Sequence, residues 1–145
     1  MSEAPEPERR PIPDATAARP WWITGLCAFC LLLLAVSIPR DLFLPAYRDV
    51  EVWLGFELAG WPARLTAPLH WAIFAAGAWG FWKLRPWMWP WAPVYVFYVA
   101  ISHLVWSEAS ANGRGWPIGL AQALGLSLVA VVLWRARAVF QGPRE

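Results

Sequence analysis

Four long stretches free of Asp, Glu, Lys and Arg, residues 21–38, 66–82, 88–106 and 116–134, constrain this 145-residue chain more than any other feature. A helix rises about 1.5 Å per residue, so about 20 apolar residues cross a hydrocarbon core of roughly 30 Å. Only a helix or a closed barrel satisfies its own backbone in that medium. The pattern therefore predicts an all-α four-transmembrane-helix bundle, a single membrane domain over residues 21–138, with the second span closing at Lys83. The second and third stretches are short and carry Pro68, Pro90 and Pro93 near their starts, which predicts tilt or kinks there.

Composition agrees with a membrane setting. Apolar residues make up 59% of the chain and charged residues only 15%, against about 25% charged in soluble domains. The net charge of +2 comes from scattered cations, which excludes the clustered basic footprint of a nucleic-acid binder. The expected surroundings are a lipid bilayer, with a membrane protein or an amphiphilic ligand as the partner.

Orientation follows from the Lys and Arg residues. With the N-terminus inside, eight of them (Arg9, Arg10, Arg19, Lys83, Arg85, Arg135, Arg137 and Arg144) fall on cytoplasmic segments, and four (Arg40, Arg48, Arg64 and Arg114) fall outside. The expectation is a multi-pass protein of the cytoplasmic (inner) membrane with both termini cytoplasmic. Residues 1–20, rich in Pro and charge, read as a disordered tail, and residues 139–145 as a second cytoplasmic tail. Ala35-Val36-Ser37 has the small residues of a signal-cleavage site, but the long mixed-charge leader and Pro39 just beyond argue that the first span is retained.

Between the first two spans the segment from Arg40 to Arg64 is too polar to cross and too apolar to float free. On a helical plot Val50, Trp53, Leu54, Leu58 and Trp61 form one stripe, which predicts an interfacial amphipathic helix over about 47–60 on the outer face. Glu57 sits on that stripe. A carboxylate there needs a partner, and Arg64, His70 and His103 are the candidates. Small residues four apart, Ala72, Ala76 and Gly80 in the second span and Gly119, Ala123 and Ser127 in the fourth, predict the packing seams.

Cys27 and Cys30 form a Cys-x-x-Cys pattern. In span count and in this pair the chain resembles four-helix membrane enzymes that pass electrons from thiols to quinone. Those enzymes need a second cysteine pair, and this chain has only two cysteines, so packing with reduced thiols is expected.

His70 and His103 fall in the outer parts of adjacent spans, and Gln122 joins the same layer from the fourth. On the third span Tyr95, Tyr98, Ser102, His103 and Trp106 occupy one arc, and a polar arc should face the interior. The expected site is an outward-opening pocket of His70, Tyr98, Ser102, His103 and Gln122 with Glu57 near its lid. Such a pocket suits a non-enzymatic accessory or binding protein. The alternative is a redox protein (haem b between His70 and His103, or quinone) or a lipid-modifying protein in which His70, His103 and Glu57 move protons. The bland reading is that both histidines only bridge helices. No resident cofactor is expected, and two histidines without a third ligand fall short of a metal site.

The stretch KLRPWMWPW, residues 83–91, invites a binding-box interpretation, but all 13 tryptophans fit two interfacial belts, so it reads as an anchor at the inner face.

Overall fold

The computed structural model describes residues 19–44 and 50–141. Four long helices dominate: α1 (Trp21–Phe43), α2 (Trp61–Trp82), α3 (Met88–Ala109) and α4 (Trp116–Arg135), followed by a one-turn α5 (Arg137–Gln141). Three of them, α1, α3 and α4, are long and apolar enough to cross a membrane, consistent with a multi-pass membrane protein. The second helix is just as long at 22 residues, but Arg64, Thr66 and His70 make its first half more polar. Of the N-terminal tail only Arg19 and Pro20 lie within the described residues, and residues 139–141, expected in the C-terminal tail, belong to α5.

The same local device starts α2 and α4. Gly60 and Gly115 adopt φ of 68° and 78°, which turns the chain, and the Trp-Pro that follows puts proline in the first turn, where its missing N–H is not needed.

The helices pair as two antiparallel hairpins, α1 with α2 and α3 with α4. Between the hairpins α2 and α3 barely touch, meeting where Gly80 packs on Met88 beside the 83–87 turn. At that end an apolar cluster ties all four together: Ile23 and Cys27 from α1, Ala78 and Phe81 from α2, Met88 from α3, Leu133 from α4, and Phe140 of α5. The seam of α4 falls where spacing predicts it, with Gly119 and Ala123 buried against α3. On α2 the buried small residues are Ala63, Ala67, Ala78 and Gly80, whereas Ala72 and Ala76 face outward.

The interfacial helix expected over 47–60 is instead a β-hairpin, β1 (Val50–Trp53) and β2 (Phe56–Ala59), paired antiparallel from Val50 opposite Ala59 to Trp53 opposite Phe56. The turn explains the outcome. Leu54 and Gly55 both take positive φ, 53° and 85°, as a two-residue hairpin loop requires, and helical backbone cannot pass through such a pair. Residues 45–49 lie outside the described residues.

Candidate functional site

The hairpin fills the space that opens between α2 and α3 as they diverge from their turn. On one side Trp53 stacks on His70 of α2, with ring centroids 4.2 Å apart and planes 9° apart. On the other, the Leu54 N–H donates to the Tyr98 hydroxyl of α3 at 3.0 Å. Gly55 is pressed so closely onto α3 that a Cβ there would stand 2.5 Å from Val105 Cβ and 2.7 Å from the Ser102 carbonyl oxygen. Tyr98, Ser102 and Val105 recur at four and three residues, so one face of α3 forms the seat. His70 is nine residues into α2 and Ser102 seven from the end of α3, so the hairpin reaches roughly 10 to 14 Å below the helix ends. Unpaired strand edges are costly at that depth unless protein groups meet them, and the Tyr98 hydroxyl does so for Leu54.

Beneath β1 lies a buried polar cluster. His70 Nδ1 donates to Glu51 Oε2 at 2.7 Å, and Arg40 reaches Glu51 Oε1 at 3.7 Å. Arg40 Nε also donates to Asp41 Oδ1 at 2.7 Å, and the Trp71 indole N–H donates to Asp41 Oδ2 at 2.9 Å. Glu51 and Asp41 are only 5% and 4% exposed, so these contacts replace their lost hydration. The cluster joins the end of α1, strand β1 and the middle of α2. Trp53 Nε1 is buried beside it without a hydrogen-bond partner among the described residues.

A second set of contacts fixes β2. Glu57 Oε1 accepts from Ser110 Oγ at 2.5 Å and from Trp106 Nε1 at 2.9 Å, which clamps the strand to the end of α3. The hydrogen bond from Ser110, then that from Trp106, holds the Glu57 carboxyl below its ordinary pKa. Glu57 is therefore not the desolvated acid expected from a helix. It is exposed and meets neither His70 nor His103. Period-2 geometry places Glu51 and Trp53 on one strand face and turns Glu57 to the other. The buried carboxylate is Glu51.

The expected pocket residues thus separate. His70 and Tyr98 hold opposite sides of the hairpin, and the Ser102 carbonyl packs against Gly55 of the turn. His103 is half-buried on α3 and makes no hydrogen bond to a described residue. Gln122 is exposed on α4 and makes no hydrogen bond to a described residue. No group of three or more His, Cys, Asp or Glu that could hold a metal occurs among the described residues. Cys27 donates its thiol to the Ala78 carbonyl at 3.3 Å, and both cysteines are free.

Sequence reasoning missed Arg40, Asp41, Glu51 and Trp71. The usable signal was the alternation in Val50-Glu51-Val52-Trp53 ahead of a Leu-Gly pair, a hairpin pattern that the apolar 3.6-residue stripe overlies.

No protein-family model matches this chain, and neither a curated protein nor a solved structure shows significant similarity to it.

Proposed function

We propose that this chain is a four-span protein of the cytoplasmic membrane, with both termini in the cytoplasm, acting as a non-enzymatic accessory or binding protein whose working surface is the β-hairpin and the helix ends around it. The observation that carries this is the hairpin wedged between α2 and α3. Its inward side is spent on Glu51, Trp53 and Gly55, while Leu54 and Phe56 remain 59% and 60% exposed at the tip. Two exposed apolar side chains on a fixed turn suit contact with an amphiphile or with a membrane protein's apolar segment. The indole N–H of Trp53, unpartnered among the described residues, adds a donor for an incoming oxygen. His70 of α2 faces this wedge and Thr66 returns its hydroxyl to the Pro62 carbonyl of its own helix, which supports a spanning role for α2 despite its lower hydropathy.

The test is a mild-detergent purification with mass spectrometry of co-purifying proteins and lipids, comparing the native chain with a Leu54→Ser, Phe56→Ser double variant. Both side chains are exposed, so the fold should survive. A species held at fixed stoichiometry by the native chain and lost from the variant is expected. Identical companions in both preparations would contradict the proposal.

One observation favours a second reading. The 2.7 Å contact between Glu51 and His70 is a carboxylate–imidazole dyad that orients the ring and leaves Nε2 as a proton acceptor. In a redox or lipid-modifying protein Glu51 would then take the part expected of Glu57. Retention of the co-purifying species in His70→Ala, with loss of a measurable turnover, would favour that reading.

A further inference from the structure

The two ends of the molecule differ in charge. Among the described residues all four acids, Asp41, Glu51, Glu57 and Glu108, lie at the hairpin end. At the other end stand Arg19, Lys83, Arg85, Arg135 and Arg137 with no acid among them. Three of these cations lie over tryptophan rings: Arg19 over Trp82 at 4.3 Å, Arg85 over Trp79 at 4.5 Å, and Arg137 over Trp89 at 4.2 Å. Arg135 is exposed and makes no hydrogen bond or ion pair with a described residue.

At the same end an apolar groove of about 370 Å³ runs between α1 and α4, lined by Trp21, Trp22, Leu26, Leu128, Val132 and Leu133. Leu128, Val132 and Arg135 follow one another at four and three residues, so Arg135 continues the groove-facing stripe of α4 at its terminal edge. An apolar groove with a cation just beyond its last lining residues on α4 matches a lipid, whose acyl chain and phosphate need these two environments side by side. The headgroup chemistry narrows the class. A zwitterionic headgroup also carries an ammonium, and no described carboxylate at this end would meet it, whereas a headgroup of net negative charge finds only cations among the described residues.

We propose that the groove and Arg135 form a binding site for an anionic phospholipid, one acyl chain lying against Leu128 and Val132 and the phosphate meeting Arg135. The site requires that the protein sit in a bilayer, but not that this end face the cytoplasm, so it stands or falls apart from the orientation proposed above.

Native mass spectrometry of the full chain in detergent, titrated with phosphatidylglycerol or phosphatidylcholine of matched acyl chains, tests it. The native protein should retain phosphatidylglycerol in preference. Arg135→Gln should weaken that preference about fivefold, the effect of one arginine at an anionic surface. Val132→Trp, a change at a 53% exposed position, should fill the groove and displace the lipid. Arg114→Gln at the opposite end should change nothing. Equal retention of the two lipids by the native protein would overturn the proposal, as would an Arg135→Gln variant indistinguishable from it or an Arg114→Gln variant equally impaired.

Discussion

The imidazole of His70 lies flat against the indole of Trp53, 4.2 Å between centroids, while its Nδ1 is held 2.7 Å from Glu51 Oε2. One side chain of α2 thus grips the strand through both its face and its edge. His70→Ala removes the stack and leaves the 5% exposed Glu51 carboxylate with Arg40, at 3.7 Å, as its one charged partner among the described residues. Removing the hydrogen-bond donor of a buried carboxylate is destabilising, and with His70 part-exposed a loss of about 2 kcal/mol is expected. Thermal unfolding followed by tryptophan fluorescence measures it, and Glu51→Gln with His70→Ala should cost less than the two single losses added, because the charge left unpaired is gone.

Gly55 carries the opposite side of the wedge. Ala at this position would meet both an unfavourable φ of 85° and the Val105 and Ser102 atoms of α3. Gly55→Ala should therefore lift the turn off its seat and cost about 2 to 3 kcal/mol. Tyr98→Phe, which removes only the acceptor of the Leu54 N–H, should cost about 1 kcal/mol. Limited proteolysis between Arg48 and Arg64 reads both effects, cleavage rising more in Gly55→Ala.

The Glu57 clamp has a defined pH response. Its carboxylate pKa is lowered in the folded protein by Ser110 and Trp106, so the ionised form is the bonded one. The stabilisation is present above the ordinary carboxylate pKa and is lost as pH falls through the lowered folded value. The fluorescence of Trp106 should hold steady through the usual carboxylate range and change only below it. In Glu57→Gln that acid transition should be absent.

The glycines of α4 divide by face. A Cβ at Gly119 would stand 2.6 Å from Ser107 Cβ, whereas Gly125 has nothing within 4 Å. Gly119→Val should separate α3 from α4 and cost about 2 kcal/mol or more, measured by thermal unfolding. Gly125→Ala should be neutral or stabilising by roughly 0.5 kcal/mol, since alanine reduces the freedom of the unfolded chain.

The helices were legible because charge-free length and the flanking Gly-Trp-Pro and Lys-Leu-Arg-Pro turns leave few alternatives. The structure extends α1 to Phe43 and starts α2 at Trp61, so polar ends such as Asp41 and Arg64 are helical although no apolar run reaches them. The hairpin was misread because Val50, Trp53, Leu54, Leu58 and Trp61 fit a helical stripe by coincidence, while Leu-Gly is a weaker turn signal than Asn-Gly. That one change of period exchanged Glu57 for Glu51 as the buried acid. It also dispersed the expected pocket: His70 and Tyr98 engage the hairpin from opposite sides, and Gln122 is exposed. The Arg40–Asp41–Trp71 contacts join residues some 30 positions apart, and no local pattern announces them.

The spanning of α2 underlies the proposed role of the hairpin as an outer-face element, and the sidedness of single cysteines tests it most directly. In a Cys27→Ser, Cys30→Ser background, Ser2→Cys, Lys83→Cys and Asn112→Cys would be probed in intact cells with a membrane-impermeant maleimide. Four spans with the termini inside predict that Asn112→Cys is labelled, while Ser2→Cys and Lys83→Cys react only after permeabilisation. If Ser2→Cys and Lys83→Cys fall on opposite sides of the membrane, α2 does not cross it and the account is contradicted.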